Sequence, residues 1–313
     1  MSVLEPFRAV ARSTPGPLGR LIDAGTTAVD ATAAWTSMAV DDLTHPKKVL
    51  DGNDLDGWDP DYIRRVLPMW RAVLNTYFRG EVRGLENIPE EGPSLLVGNH
   101  SGGTIIADTF VFAMEFYKYF GPDRRFHQLA HDIAARTPLT GINRFGTVAA
   151  NHDNARKAFD LGAPVLVYPG GDYETYRPSW HGDQIEFGGR KGFIKLALEQ
   201  GVPIVPVVAV GGQETALFVT RGQRVAKLVG WDRLTRIKVL PVQIAPPFGI
   251  TLLDLPTRVP LPAKITVEVL PPIDLKERFG PEPDYDEVYE GVTGEMQDAL
   301  SELSDERTLP LVG

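Results

Sequence analysis

A histidine followed by a serine and two glycines is the part of this chain best suited to chemistry. His100 comes directly after the apolar run 94–98, and Ser101-Gly102-Gly103 follows it. The apolar run predicts a buried strand, and ligands of open α/β sheets gather at the carboxyl ends of such strands. Because the pKa of imidazole lies near neutrality, a histidine there is suited to act as a general base toward a hydroxyl group. A lone histidine is also often structural, and that alternative stays open.

A general-base histidine needs a carboxylate that orients its ring, and Asp108 is the nearest one downstream. If a helix begins at Thr104, Asp108 faces back near the first turn of that helix. The alternative is that Asp108 only stabilises the positive end of the helix dipole. The sequence leaves both interpretations open.

A second glycine turn, Pro169-Gly170-Gly171, follows the predicted strand 163–168. Glycines let the backbone approach a ligand closely, and free N–H groups in such a turn can hold an oxyanion or a phosphate. Glu174 and Arg177 follow within reach of this turn. A plain turn with solvated charges is the alternative.

The segment Gly188–Phe193 opens a predicted helix with two adjacent cations, Arg190 and Lys191. Paired cations at a helix N-terminus form an anion site, although two solvated charges in a first turn are the alternative. The chain contains neither the G-x-G-x-x-G pattern of dinucleotide-binding proteins nor a P-loop. It also lacks G-x-S-x-G, which argues against a hydrolase with Ser101 as nucleophile.

Composition excludes several classes of protein. The chain of 313 residues has no cysteine, so disulfides, a thiol nucleophile and Cys-ligated zinc are ruled out. A net charge of −9 argues against general nucleic-acid binding. His127 and His131 lie four residues apart beside Asp132, but no third ligand pattern accompanies them, so we expect no metal site. We also expect neither a secretory signal nor a membrane span, because no apolar run reaches about 18 residues.

The order of elements predicts an α/β fold with a mostly parallel central sheet flanked by helices. The strands are expected at 81–83, 94–98, 125–130, 146–149, 163–168, 203–210, 237–244 and 264–269, and the helices at 104–120, 151–161 and 189–200. Asn151 is a good N-cap, and Gly162 and Gly201 are well placed just after helix ends. We predict an N-terminal helical region at 1–78, the α/β domain at 79–275, and a solvated acidic helix with a tail at 276–313.

Two segments could lie on a membrane surface. A helix is predicted over 61–78, with an apolar stripe that favours packing on its own domain and, as the alternative, contact with lipid. The segment 217–234 mixes apolar residues with arginines and lysines. It could lie on anionic lipid, or be a helix packed on the domain with a solvated basic face.

Taken together, these blocks resemble the glycerolipid acyltransferase superfamily, the lysophospholipid acyltransferases, and most of all its monoacylglycerol/diacylglycerol acyltransferase-like branch. The similarity runs from Val82 to Val208. Its blocks are Val82–Pro89, the His100 motif, the segment from Thr137-Pro138 through Gly146, Tyr168–Glu174, and Arg190–Phe193 followed by Val202–Val207.

The chain departs from the superfamily at two positions. The usual H-x4-D spacing places the acid at Ile105, so Asp108 is the apparent counterpart. The E-G-T-R type motif of phosphate-acceptor members is replaced by Gly170-Gly171-Asp172. This favours a neutral glyceride or another alcohol as acceptor over lysophosphatidate or glycerol phosphate.

The resemblance implies an O-acyltransferase in which His100 is the general base, Asp108 fixes its tautomer, and no acyl-enzyme forms. It requires no cofactor, only an acyl-CoA or acyl-carrier donor and a lipid acceptor, and it implies a cytoplasmic enzyme in peripheral contact with a membrane. Gly102, Gly103, Gly170, Gly171 and Glu174 would form the oxyanion and acceptor site. The candidates for the anionic groups of the donor are Arg144, Arg177, Arg190 and Lys191. The alternatives are a lysophosphatidate or glycerol-3-phosphate acyltransferase, a thioesterase, and a non-catalytic acyl-CoA- or lipid-binding protein.

Overall fold

A computed structural model of the chain describes residues 9–10, 12–14, 52–104, 106–135, 141–181, 183–230, 239–246, 248–252, 254 and 258–307. Most of the predicted N-terminal helical region, the block Thr137-Pro138 and Ile105 lie outside the described residues. The division into the three predicted segments stays a prediction.

A central sheet of seven strands runs through the described part of the chain. Across the sheet the strands lie in the order β1 (Glu81–Arg83), β10 (Thr266–Val269), β6 (Ile204–Val210), β2 (Leu95–Gly98), β5 (Val165–Val167), β3 (His127–Ala130) and β4 (Thr147–Ala149). Every neighbouring pair is parallel except β10 and β6, which confirms the predicted mostly parallel sheet. A second, antiparallel sheet joins β7 (Leu217–Thr220), β8 (Val242–Ala245) and β9 (Gly249–Thr251).

Helices cover both faces of the central sheet. They are α1 (Pro60–Tyr77), α2 (Ala107–Phe120), α3 (Asp132–Ala135), α4 (His152–Asp160), α5 (Gly171–Thr175), α6 (Gly192–Gln200), α7 (Gln223–Leu228), α8 (Leu275–Phe279) and α9 (Tyr285–Asp305). The predicted caps hold: the Asn151 side chain accepts from the Asn154 N–H, and Gly201 ends α6 in the left-handed region. No helix in the described part of the chain is long and apolar enough to cross a bilayer.

Alternation along the strands divides the interior into two cores. In β2, Leu96 points into the core beneath α1 and α2, whereas Leu95 and Val97 point into the core beneath α4, α6 and α9. Successive side chains of a strand face opposite sides of a sheet, so an apolar run buried on both faces is what a central parallel strand requires. The carboxyl edge of this sheet is therefore a fixed platform for the loops that follow β2 and β5.

Helices α1 and α9 each bury an apolar face in these cores. Helix α1 begins at the N-cap Asp59 and buries Trp70 and Leu74 against α2, so its stripe is not available to a membrane. Helix α9 is acidic outside, but Val292 and Met296 on its inner side are fully buried. The expectation of a solvated helix is wrong there because apolar residues recur every three to four positions.

The segment 217–234 is not one helix. Leu217–Thr220 forms β7 of the small sheet, and only Gln223–Leu228 is helical among its described residues. The apolar side chains of Leu217 and Val219 alternate with the buried Phe218, which is the two-residue period of a strand.

Candidate active site

The loop after β2 leaves the sheet at a fixed point. The Asn99 amide donates to the Ala209 carbonyl at 2.9 Å and accepts from the Ala209 N–H at 2.7 Å. These two side-chain bonds hold Asn99 to β6 just beyond Gly98, the last residue of β2 that pairs with β6. His100 is thereby placed at the carboxyl edge of the sheet, as the sequence predicts.

The imidazole of His100 lies beside Asp108 in the first turn of α2. Its Nδ1 is 3.6 Å from Asp108 Oδ2, and the two side chains are 13% and 2% exposed. The carboxylate is held in turn by the Ser101 N–H at 3.2 Å and the Thr109 N–H at 2.7 Å. The separation is just beyond hydrogen-bond length, and such catalytic contacts often tighten only when substrate binds. With Nδ1 facing the carboxylate, Nε2 is the nitrogen left to meet a substrate.

One face of the His100 ring is covered by Tyr168 at the end of β5. The two rings stack with centroids 4.3 Å apart and planes at 20°. The Tyr168 hydroxyl bonds to Thr109 Oγ1 at 2.6 Å, which fixes the aromatic ring. A side chain at Gly98 would meet the Tyr168 ring at 2.6 Å, so this stacking requires glycine there. Burial raises the pKa of Tyr168, which therefore stays a neutral phenol.

The buried side chain of Glu174 contacts both the loop after β2 and the glycine turn after β5. Its Oε2 accepts from the His100 N–H and its Oε1 from the Glu186 N–H, both at 3.0 Å. Gly170 packs on the same carboxylate, since a Cβ there would lie 2.4 Å from Glu174 Oε2. The residue is fully buried, and burial raises its pKa against the opposing effect of Arg177. The structure thus places Glu174 as a buried brace, not as a group exposed to an acceptor.

The four predicted glycine N–H groups are not equivalent. The Gly103 N–H donates to Thr175 Oγ1 at 3.1 Å, and the Gly171 N–H donates to the Tyr168 carbonyl at 3.1 Å. These two donors are used inside the protein. Within the described residues, the N–H groups of Gly102 and Gly170 have no hydrogen-bond acceptor in the protein.

The predicted cations have separate surroundings. Arg190 donates to the Pro169 and Gly170 carbonyls, both at 2.8 Å, and so holds the second glycine turn. Arg177 is buried, 3.6 Å from Glu174, and donates to the Gln184 carbonyl. Lys191 forms an ion pair with Asp286 of α9, and Arg144 is buried with its guanidinium 4.4 Å from the Tyr62 ring centroid. The resemblance predicts that Arg177 and Arg144 bind an anionic group of the donor, but both guanidinium groups are buried and not accessible to a phosphate.

An open cleft of about 400 Å³ lies beside Tyr168. Arg190 and His152 are on its polar side, and its apolar lining includes Leu129, Val167, Phe193 and Leu196. Tyr168 lines this cleft and also stacks on the His100 ring, so the cleft adjoins the side chain that covers the imidazole. Local sequence patterns do not reveal His152 or the apolar lining, because these residues come from four separate elements.

A buried ion pair that the sequence analysis does not predict holds the loop after His100. Arg258 donates to the Gly102 carbonyl and, at 2.8 Å, to Asp254 Oδ1, while Asp254 Oδ2 accepts from the Thr104 N–H. Both side chains are only 1% exposed. A side chain at Gly103 would meet Asp254 at 2.1 Å, so the loop and the pair are fitted to each other. The four-residue spacing of Asp254 and Arg258 was the only sequence signal, and it is common.

The two histidines weighed as metal ligands lie in different environments. His127 is fully buried in β3, with Nδ1 3.0 Å from the Gly146 carbonyl, whereas His131 is exposed. Where the structure describes the chain, no group of three or more histidine, aspartate and glutamate side chains is arranged to hold a metal ion. Burial lowers the pKa of His127 from 6.5 to about 4.

We expect His127 to make the protein acid-sensitive. Because its folded pKa is lowered, its stabilising contribution is complete above pH 6.5 and is lost as the pH falls toward 4. The loss is about 3 kcal/mol in the free energy of unfolding. Urea unfolding at neutral and acidic pH should show a smaller drop for His127→Gln, which can keep the bond to Gly146, than for the wild type. The exposed His181→Gln control should behave as the wild type; an unchanged drop in His127→Gln would contradict this assignment.

Comparison with known proteins adds to this geometry. Residues 79–210 match the family model described as acyltransferase, and the segment contains His100, Asp108 and the second glycine turn. An uncharacterized protein of Mycobacterium tuberculosis is 28% identical over 220 residues, covering 69% of this chain and 58% of the relative. The chain thus spans less than two thirds of the length of that relative.

Two further matches concern lipid enzymes. A "DGAT1/2-independent enzyme synthesizing storage lipids" from Bos taurus is 27% identical over 152 residues, 46% of this chain and 42% of the relative. The crystal structure of the 1-acyl-sn-glycerophosphate acyltransferase PlsC from Thermotoga maritima superposes with a TM-score of 0.51 at 16% identity, covering 91% of this chain and 97% of that one. This superposition shows a shared fold. Together with the family match, these similarities confirm the predicted resemblance.

Proposed function

We propose that the protein is an O-acyltransferase that moves a fatty acyl group from a thioester to a lipid hydroxyl, because residues 79–210 match the acyltransferase family model. The observation that carries the proposal is the His100 Nδ1–Asp108 Oδ2 contact of 3.6 Å at the open edge of the sheet. The imidazole is oriented on one side by a buried carboxylate and on its face by Tyr168. This arrangement suits a base that acts through Nε2 on a hydroxyl group.

The proposed reaction is a direct transfer. His100 Nε2 accepts the proton of the acceptor hydroxyl as its oxygen attacks the thioester carbonyl carbon. The C–S bond of the tetrahedral species then breaks, and the imidazolium returns the proton to the departing thiolate. Asp108 keeps the proton of the imidazole on Nδ1 and stabilises the cation that forms. No side chain is acylated, and the net change is one ester formed for one thioester broken.

The developing oxyanion needs fixed donors. The N–H groups of Gly102 and Gly170 belong to the two turns that Glu174 holds together, and neither has a protein acceptor among the described residues. Main-chain donors of this kind cost no reorganisation in the transition state, and each contributes about 10²–10³-fold in rate. We therefore assign the oxyanion site to these two amides and leave Gly103 and Gly171 as parts of the scaffold.

The open cleft beside Tyr168 is the proposed site of one substrate's extended part. Its apolar lining suits acyl or prenyl carbon, and Arg190 at the start of α6 suits an anionic group of coenzyme A or of carrier phosphopantetheine. A neutral alcohol as acceptor is supported by the Gly170-Gly171-Asp172 sequence and by the storage-lipid relative. A membrane-dissolved acceptor also requires peripheral contact with lipid.

A panel of acceptors tests the activity. The full chain is incubated with labelled palmitoyl-CoA and, in separate reactions, monoacylglycerol, diacylglycerol, a long-chain alcohol, lysophosphatidate and glycerol phosphate, and the products are read by mass. We expect an acylated neutral product. Preference for a phosphate-containing acceptor would support the lysophosphatidate or glycerol-3-phosphate alternative. Release of thiol without any acceptor would indicate a thioesterase, and binding without turnover would indicate a non-catalytic protein.

Asp108→Asn is expected to reduce kcat by about 10²-fold with little change in KM. The amide keeps one oxygen, which can accept from the Thr109 N–H in the first turn of α2, but it loses the second oxygen, which accepts from the Ser101 N–H, and it can no longer stabilise an imidazolium. Steady-state kinetics of the variant and circular dichroism of its fold provide the measurement. The control is Asp153→Asn, whose carboxylate is 80% exposed in α4 and should leave kcat unchanged. Equal kcat in wild type and Asp108→Asn would refute the pairing.

A further inference from the structure

The small sheet carries an exposed row of apolar side chains on its outer face. Leu217 of β7 lies directly opposite Ile244 of β8, which lies directly opposite Ile250 of β9. These three residues, here called the apolar ladder, are 44%, 39% and 73% exposed. Scattered exposed apolar residues are ordinary, but an aligned row across three strands is a contiguous patch of the kind that marks an interaction site.

The same face continues beyond the ladder. Phe248 and Leu252, which flank β9, are 48% and 60% exposed, and Leu228 and Val229 at the end of α7 are 86% and 61% exposed. Leu228 is the most exposed large apolar residue in the described chain. Helix α7 follows β7 after only two residues, so the helix begins next to the small sheet.

The charge of this region is opposite to that of the rest of the protein. The described residues between 216 and 252 include three cations, Arg221, Arg224 and Lys227, and no acidic residue, in a chain of net charge −9. Arg224 and Lys227 are exposed on α7, next to the apolar residues of that helix. Apolar side chains flanked by arginine and lysine suit the interface of an anionic bilayer, where the side chains enter the acyl region and the cations meet headgroups.

The inner face of the same sheet reaches the candidate active site. Phe218, between the exposed Leu217 and Val219, is fully buried and would lie 2.7 Å from a side chain at Gly103. Gln243, the neighbour of Ile244 on β8, donates to Asp254 at 2.9 Å, and Asp254 accepts from the Thr104 N–H. The outer face is thus separated from the loop after His100 by the thickness of one sheet.

We infer that the apolar ladder and the exposed residues of α7 form the surface by which this protein docks on an anionic lipid bilayer. The ladder enters the headgroup region, and Arg224 and Lys227 contact lipid phosphates. This orientation puts the loop after His100 close to the membrane surface, where a lipid substrate would arrive. Binding to lipid does not depend on the chemistry proposed for His100, so the two can be tested separately.

Flotation of the full chain with vesicles tests the inference. One set of vesicles is phosphatidylcholine alone, and the other contains about 30 mol % phosphatidylglycerol. We expect binding to the anionic vesicles and about 10-fold weaker binding to the neutral ones. Leu228→Ser/Ile250→Ser and Arg224→Gln/Lys227→Gln should each weaken binding to anionic vesicles by about 10-fold or more.

Matched variants elsewhere on the surface are the controls. Leu161→Ser removes an apolar side chain that is 53% exposed in the turn after α4, and Arg156→Gln/Lys195→Gln removes two exposed cations from α4 and α6. These controls should bind vesicles as the wild type does. No binding by the wild type, or equal loss in controls and ladder variants, would overturn the inference.

A second copy of the chain is the competing occupant of this surface. Size-exclusion chromatography would then show a dimer that the Leu228→Ser/Ile250→Ser variant dissociates, and this result would also overturn the inference. Activity toward a short-chain, water-soluble acceptor separates the two proposals. If the lipid surface is as inferred, the ladder variants should keep the wild-type activity toward this soluble acceptor. Absence of that activity in the wild type would count against the proposed reaction and not against the lipid surface.

Discussion

Replacing His100 with alanine is expected to lower acyl transfer by about 10²–10⁴-fold, the contribution of a general base. The loss should appear in kcat, because the imidazole contributes to the transfer step and only slightly to binding. The side chain sits at the open edge of the sheet, 13% exposed, with its Nδ1 beside Asp108 and its face on Tyr168. Its removal empties a position at the surface of the site and leaves both cores intact, so the variant should fold.

The control for this variant is His181→Ala, an exposed histidine in the loop that follows α5. It should have the kcat and KM of the wild type. The measurement is steady-state transfer to the best acceptor, with circular dichroism and urea unfolding to establish that both variants are folded. Full turnover in a folded His100→Ala protein would remove the histidine from the mechanism.

The second large effect concerns stability. Arg258→Met is expected to cost about 3–5 kcal/mol in the free energy of unfolding, because it leaves Asp254 buried without its cation. The same change frees the carbonyls of Gly102 and Thr215 from their donor. Loosening of the loop after His100 should lower kcat as well, since that loop holds the catalytic backbone in place.

An exposed ion pair provides the control for Arg258→Met. Arg278 pairs with Glu295 near the surface, with the side chains 45% and 38% exposed, and Arg278→Met should cost less than about 1 kcal/mol. The double variant Asp254→Asn/Arg258→Met should be more stable than Arg258→Met alone, because it removes the unpaired charge. Urea unfolding of the wild type, the two single variants and the double variant measures these free energies of unfolding. Equal losses of stability for Arg258→Met and Arg278→Met would show that the buried pair does not stabilise the fold.

The sequence predicted those parts of the fold that depend on local pattern. The run Leu95–Gly98 is apolar because β2 is buried on both faces, and Asn151 caps α4 because its side chain accepts the Asn154 N–H. The nearness of His100 and Asp108 followed from the same kind of reasoning, since a helix that begins soon after a strand end brings its first turn back to that end. The observed start at Ala107 keeps this geometry.

Features built from distant segments could not be predicted. Asp254 and Arg258 contact the loop after His100 from about 150 residues further along the chain, and only the three-dimensional path brings them there. Glu174 was placed near the site from its spacing, but its burial depends on Arg177 and on the Glu186 N–H, which the local pattern does not reveal. The strand Leu217–Thr220 was missed because its apolar and basic residues fit a helix equally well until its pairing with β8 is known.

The most direct test of the account is whether thiol release depends on both the acceptor and His100. Wild type and His100→Gln are each mixed with palmitoyl-CoA, with and without the acceptor that the panel selects, and free thiol and acylated lipid are measured together. The account predicts that the wild type releases thiol only when acceptor is present, in equal amount to the ester formed, and that His100→Gln does neither. The proposed mechanism would be contradicted if the two proteins released thiol at the same rate, or if the wild type released thiol at the same rate with and without the acceptor.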